Sequence, residues 1–259
     1  MYLLFVDEIK EGKKDYEIYG LVAIYISNSS YGKFKKGFYA KLKSLGWNHA
    51  IEIKGRYSFS SSKGDKKISI EDRLIFVEKL FELSKTGSGK YAAAKVYYIF
   101  DIFRKGTSEQ KMYGKLLAKI LNKIPKGKKS GNKNGNNNIV IFLDKNDSIN
   151  IKDVTNLVED ICDNRGLFLI ERCFSIDSGN ETPGIIFADH VAYFINNYFR
   201  VRAFNKKNKQ YIQELLDKFS EKTLSDKERE YFLSLVRSIE KEDKTLKLLG
   251  ALKKMIFVK

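Results

Sequence analysis

Two continuous apolar runs along the chain each close on an aspartate. Residues 2–6 lead into Asp7-Glu8, and residues 139–143 lead into Asp144. Short apolar runs with polar ends predict buried strands. Residues 16–27 predict another strand, carried by Ile18, Leu21, Val22, Ile24, Tyr25 and Ile26. The polar turn at 12–15 makes it the second arm of a hairpin, and Asn28-Ser29-Ser30 closes it. Phe34, Phe38, Leu42 and Leu45 then recur at helical spacing, with Lys33, Lys35, Lys36, Lys41 and Lys43 on the remaining faces. That helix is amphipathic and basic, and its lysines either face solvent or meet phosphates. Residues 50–55 alternate over a short piece, and the Ser- and Gly-rich stretch 57–67 reads as a loop.

Further along, the periodicity predicts a helix over 70–84, a strand over 92–102 and a helix over 112–124. Residues 125–138 are polar, low in complexity and positively charged, as in a mobile surface loop. A helix over 154–161 and a strand over 167–176 precede the most apolar helix of the chain, from Pro183 to about Phe204, with Thr182 as its cap. Residues 210–219, 226–239 and 246–257 read as further amphipathic helices. Two strands followed by helices and strands in alternation define an α/β fold opened by a hairpin, whose sites are expected near the carboxyl ends of strands. The division predicted is a core of residues 1–204 and a helical extension, 205–259, packed on it.

The helix from Pro183 carries one acid that its neighbours do not explain. Ile185, Ile186, Ala192 and Tyr193 stand three or four positions from Asp189 and share its face. A charge on an apolar face is costly unless something pairs with it. Either Asp189 meets a cation, or this face lines a site.

Charge changes the picture next. The 259 residues carry a net charge of +16 and a pI of about 9.5. Such a balance favours a polyanionic partner, nucleic acid above all, unless it is only a solvated lysine-rich surface. Cys162 and Cys173 are the only cysteines; they offer neither a disulfide framework nor zinc spacing, and a cytoplasmic setting fits. No apolar run reaches membrane-spanning length, and the amino terminus lacks the pattern of a signal peptide, so no membrane is expected. The apolar residues of 246–257 leave open whether they cover their own core or a second copy in a homodimer.

Asp7, Glu52, Asp144 and Asp189 each lie in or at the end of an apolar segment. Gathered together, such carboxylates repel and raise one another's pKa, and divalent ions relieve that repulsion. Magnesium, or manganese in its place, prefers carboxylate oxygen and keeps waters for a substrate. Two such ions about 4 Å apart suit phosphodiester cleavage. Each acid also has a plainer account: Asp7 and Asp144 as turn residues, Glu52 paired with Lys54, Asp177-Ser178-Gly179 as an ordinary turn. His190, next to Asp189, reads as a packed helix residue.

These segments carry a resemblance. Residues 2–8 with Asp7-Glu8, Glu52-Ile53-Lys54-Gly55, Ile141-Phe142-Leu143-Asp144, Ser175-Ile176-Asp177-Ser178 and the run from Gly184 through Asp189 to Ala192 resemble, in order, motifs of the domain-of-unknown-function 3800 family. The chain departs from that family's pattern at Ile9-Lys10, where Ser-Gly is usual, and at Ile186-Phe187, where Gln-Leu is usual. The resemblance spans about residues 1–200. It implies a ribonuclease H-like mixed sheet flanked by helices and an acidic metal site, with Asp7, Glu52, Asp144 and Asp189 as metal-holding and catalytic residues and Asp177 close by. The function expected is a hydrolase: a divalent-metal-dependent nuclease, or a related phosphodiester-processing enzyme, acting on DNA or RNA. A second enzymatic reading takes Glu52-Ile53-Lys54 as the Glu-x-Lys of restriction-type endonucleases, with Lys54 activating water. The alternative to both is a non-catalytic basic protein that binds nucleic acid or serves assembly. An aspartate-nucleophile phosphatase is disfavoured, because Asp7-Glu8-Ile9 lacks a second aspartate two positions on.

Overall fold

The first two strands form a long antiparallel hairpin. β1 (Tyr2–Gly12) and β2 (Tyr16–Ser27) stay in register from Tyr2 opposite Ser27 to Gly12 opposite Glu17. In this computed structural model the described residues are 1–12, 16–48, 51–55, 65–69, 72–73, 76, 94–126, 138–176 and 182–204. Asp177, most of the helix expected at 70–84, most of the loops expected at 57–67 and 125–138, and the extension expected from 205 onward lie outside them.

β3 (Ala94–Arg104) continues the hairpin as an antiparallel neighbour of β2. On its other side β1 pairs in parallel with β4 (Asn138–Asp144), with Val6 opposite Leu143. β5 (Phe168–Leu169) and β6 (Phe174–Ile176) both run parallel to β4 on its far side. The described strands form one six-stranded mixed sheet, ordered β3-β2-β1-β4-β5 with β6 also on β4. Four helices accompany it among the described residues: α1 (Asn28–Leu45), α2 (Glu109–Lys123), α3 (Ile151–Asn164) and α4 (Pro183–Phe204). This is an α/β architecture in three layers.

Alternation along β1 decides which layer each side chain joins. Leu3, Phe5 and Ile9 pack with Phe34, Phe38 and Leu42 of α1 and with Ile185, Phe187 and Val191 of α4. Leu4 and Val6 pack on the other face with Met112, Leu116 and Ile120 of α2 and Val154 and Val158 of α3. Both faces of the central strands are covered, which is why their sequences read as continuous apolar runs. Local signals set the helix ends: Ser27 Oγ accepts the Ser30 N–H at 3.2 Å, Gly46 ends α1 at φ 64°, and Asn150 Oδ1 accepts the N–H groups of Lys152 and Asp153.

Several boundaries differ from the sequence expectation. β1 does not stop at Val6; it runs through Asp7 and Glu8 to Gly12, because Ile9 resumes the buried face and β2 pairs with it throughout. Asn28-Ser29-Ser30 is the first turn of α1 rather than a strand end, since Ser27 caps it. Residues 51–55 form no extended strand; only Ile53 and Gly55 of the piece are buried. The single strand expected over 167–176 is two short ones, parted where Ile170 N–H turns to Ile139 O and Cys173 N–H to Thr155 Oγ1. The helix from Pro183 to Phe204 agrees with expectation, and Thr182 opens it by accepting the N–H groups of Ile185 and Ile186 through its carbonyl. No helix among the described residues is long and apolar enough to cross a membrane.

Candidate metal centre

Two of the singled-out acids stand side by side. Val6 faces Leu143 on parallel strands, so the next position on each is Asp7 and Asp144. Phe5 and Phe142, two residues before each, stack at 4.9 Å on the α4 side of the sheet, and alternation puts both aspartates on that side. Asp189 reaches them from α4. The helix can lie close because Gly184 has no side chain: a Cβ there would come within 2.5 Å of the Phe5 ring.

Asp7 is 7 % exposed, while the Asp189 side chain keeps 25 % of its surface. The first is buried; the second is partly exposed. Burial, then the negative charges of Asp189 and Asp144, raise the Asp7 carboxyl well above the ordinary carboxylate range. The Glu8 backbone N–H, donated to Asp7 Oδ1 at 2.7 Å, offsets this only in part.

Glu52 arrives on an irregular segment that Gly55 pins to α4. The Gly55 N–H donates to Asp189 Oδ2, and a Cβ on Gly55 would stand 2.6 Å from Tyr193 Cβ. Lys54 Nζ pairs with Glu52 at 2.9 Å. Burial alone would lower its pKa, but Glu52, with Asp144 and Asp189 beyond it, holds it above the ordinary lysine value. Lys54 is thus a cation amid the acids. Pairing Glu52 with Lys54 was the plainer account of that acid, and the pair is present.

The arrangement brings Asp7, Asp144 and Asp189 within electrostatic reach of one another, with the Glu52–Lys54 pair beside them. It stops short of a closed cage: among the described residues no three His, Cys, Asp or Glu side chains stand close enough to be one. The donor set is nonetheless of the right kind. Carboxylate oxygens suit magnesium and manganese, and a buried, charge-crowded Asp7 is what a cation would relieve. Asp177 lies outside the described residues.

Other titratable groups fall into place as structure. His190 is fully buried, its Nδ1 is 2.7 Å from Ile186 O, and burial lowers its pKa, so it is a packed neutral ring. Cys162 and Cys173 are buried free thiols, and burial pushes them up to about 11 and about 12. Two features went unread in the sequence. One is the Gly55 amide on Asp189. The other is a polar network under the opposite face of the sheet, joining Glu8, Asn146 and Glu109. Nothing local announces either, since each bridges distant parts of the chain.

No protein-family model matches this chain, and no curated protein matches its sequence.

Proposed function

We propose that the protein is a divalent-metal-dependent phosphodiesterase acting on nucleic acid, with Asp7, Asp144 and Asp189 as the metal-holding carboxylates. The observation that carries this is the crowding of buried Asp7 by Asp144 and Asp189 at the carboxyl end of β4. A mixed sheet opened by a hairpin and covered by helices on both faces supports a ribonuclease H-like assignment, and with it the resemblance to the domain-of-unknown-function 3800 family. Magnesium or manganese, when bound, would supply the Lewis acidity that phosphodiester cleavage requires. The chain's own part is to present those carboxylates, to hold Glu52 through Lys54, and to offer the Lys54 ammonium to the substrate's negative oxygens. The exposed lysines of α1 (Lys33, Lys35, Lys36, Lys41 and Lys43) add to the positive field that draws a polyanion in. The test is to incubate the protein with single- and double-stranded DNA and RNA, with and without magnesium or manganese. Metal-dependent cleavage that Asp7→Asn abolishes supports the reading; cleavage without metal, or none at all, overturns it.

The position of Lys54 favours one competing account, in which Glu52 and Lys54 form a Glu-x-Lys site and Lys54 activates water. There Asp7 holds the metal, Asp144 and Asp189 are bystanders, and Asp189→Asn retains activity while Lys54→Met loses it.

A further inference from the structure

We propose that Asn146 is a positioning residue that locks the end of β4 to β1 and so sets Asp144 against Asp7; this rests on the metal-site reading above. Glu8 follows Asp7 and therefore points to the opposite face of the sheet. Asn146 follows Asp144 by two residues and reaches the same spot from the loop after β4. Its Nδ2 donates to Glu8 Oε1 at 2.7 Å and to Glu109 Oε1 at 2.6 Å. Its Oδ1 accepts the Ser148 N–H at 2.8 Å, which shapes the loop. This orientation of the amide suits its partners, because the reverse would set Oδ1 against the Glu109 carboxylate and lose the Ser148 N–H.

The far anchor is itself held. Glu109, at the start of α2, also takes Lys10 Nζ at 2.5 Å and the Tyr19 hydroxyl at 3.3 Å. One amide thus ties together β1, the loop after β4 and the start of α2. The hydrogen bonds are directional, so a slide or roll of β4 against β1 breaks them, whereas apolar contacts would tolerate it. The amide is also neutral. It fixes the end of β4 to β1 without adding a cation that would compete for the carboxylates on the other face. Residues behind metal ligands commonly set affinity in this way.

The experiment is a calorimetric titration of the full chain with manganese, well below its melting temperature. It compares wild type, Asn146→Ala and Asp101→Asn. Asp101 is a buried acid of β3 paired with Lys115 and Lys119 of α2, so its variant is a structural control on the same sheet. Asn146→Ala is expected to bind manganese about tenfold more weakly, while Asp101→Asn melts earlier yet binds as wild type does. Equal affinity in Asn146→Ala and wild type overturns the positioning role and leaves the metal site standing. An equal loss in both variants also overturns it, since it shows general loosening. Failure of wild type to bind overturns the metal-site reading as well. If Asn146→Ala does not fold, Glu109→Ala removes the α2 anchor, along with its Lys10 and Tyr19 contacts, and leaves Asn146 on Glu8; several-fold weaker binding, with Asp101→Asn binding as wild type does, supports the role and unchanged binding overturns it.

Discussion

The Gly55 backbone N–H meets Asp189 Oδ2 at 2.5 Å across 134 residues of sequence. This contact brings the Glu52–Lys54 segment to α4, and it exists only because Gly55 lets backbone approach backbone. Gly55→Ala would place a Cβ 2.6 Å from Tyr193 Cβ and 3.2 Å from His190 Cα. The expected cost is about 1–3 kcal/mol of stability. Thermal melting measures it, and a melting temperature equal to wild type would show that the segment is not held there.

Lys54 is a cation amid the acids of the site, so Lys54→Met removes the ammonium from Glu52 and its positive charge from beside Asp144 and Asp189. The variant should melt earlier than wild type in chelator. Manganese should recover more stability in it than in wild type, because the competing ammonium is gone. Equal recovery in the two proteins counts against a cation binding near Lys54.

Glu8 makes stability depend on pH. Burial raises its carboxyl from 4.5 to about 7, with Glu109 adding to the rise and the Asn146 hydrogen bond opposing it. Between those values the folded protein keeps a proton that the unfolded chain has released. Stability therefore falls as pH rises through that window. Relative to Glu8→Gln, wild type should lose up to about 3 kcal/mol across it. His190, shifted downward, is common to both proteins and drops out of the difference, whereas Asp7 and Glu109 interact with Glu8 and add smaller changes of their own. Denaturant unfolding at several pH values measures this; parallel curves for the two proteins would contradict a raised Glu8.

Asp101 separates a structural acid from a site acid. It is buried like Asp7, but Lys115 at 3.0 Å and Lys119 at 3.2 Å neutralise it. Asp101→Asn should cost about 1–2 kcal/mol and leave any nucleic-acid cleavage per folded molecule unchanged. A matching loss of cleavage would mean that the acids of this sheet cannot be told apart by their partners.

The layered fold was legible because strands buried on both faces show as apolar runs, and Asp7 and Asp144 stood out as the charges that close two of them. Asp189 stood out because α4 is otherwise apolar where it packs on β1. What was not legible depends on contacts between distant residues. The extension of β1 past Val6 needs β2 opposite it, and the break between β5 and β6 needs Ile139 and Thr155 to draw the chain aside. Asn146 carries no local mark, since its partners lie 138 and 37 residues away. The role of Lys54 was half visible: its spacing from Glu52 showed a pair, but not that Asp144 and Asp189 would lie near it.

The most direct measurement is anomalous diffraction from crystals soaked in manganese. The account predicts a peak bridged by Asp7, Asp144 and Asp189, with Lys54 moved aside. No peak there, with Lys54 still against the acids in fully soaked crystals, would contradict it.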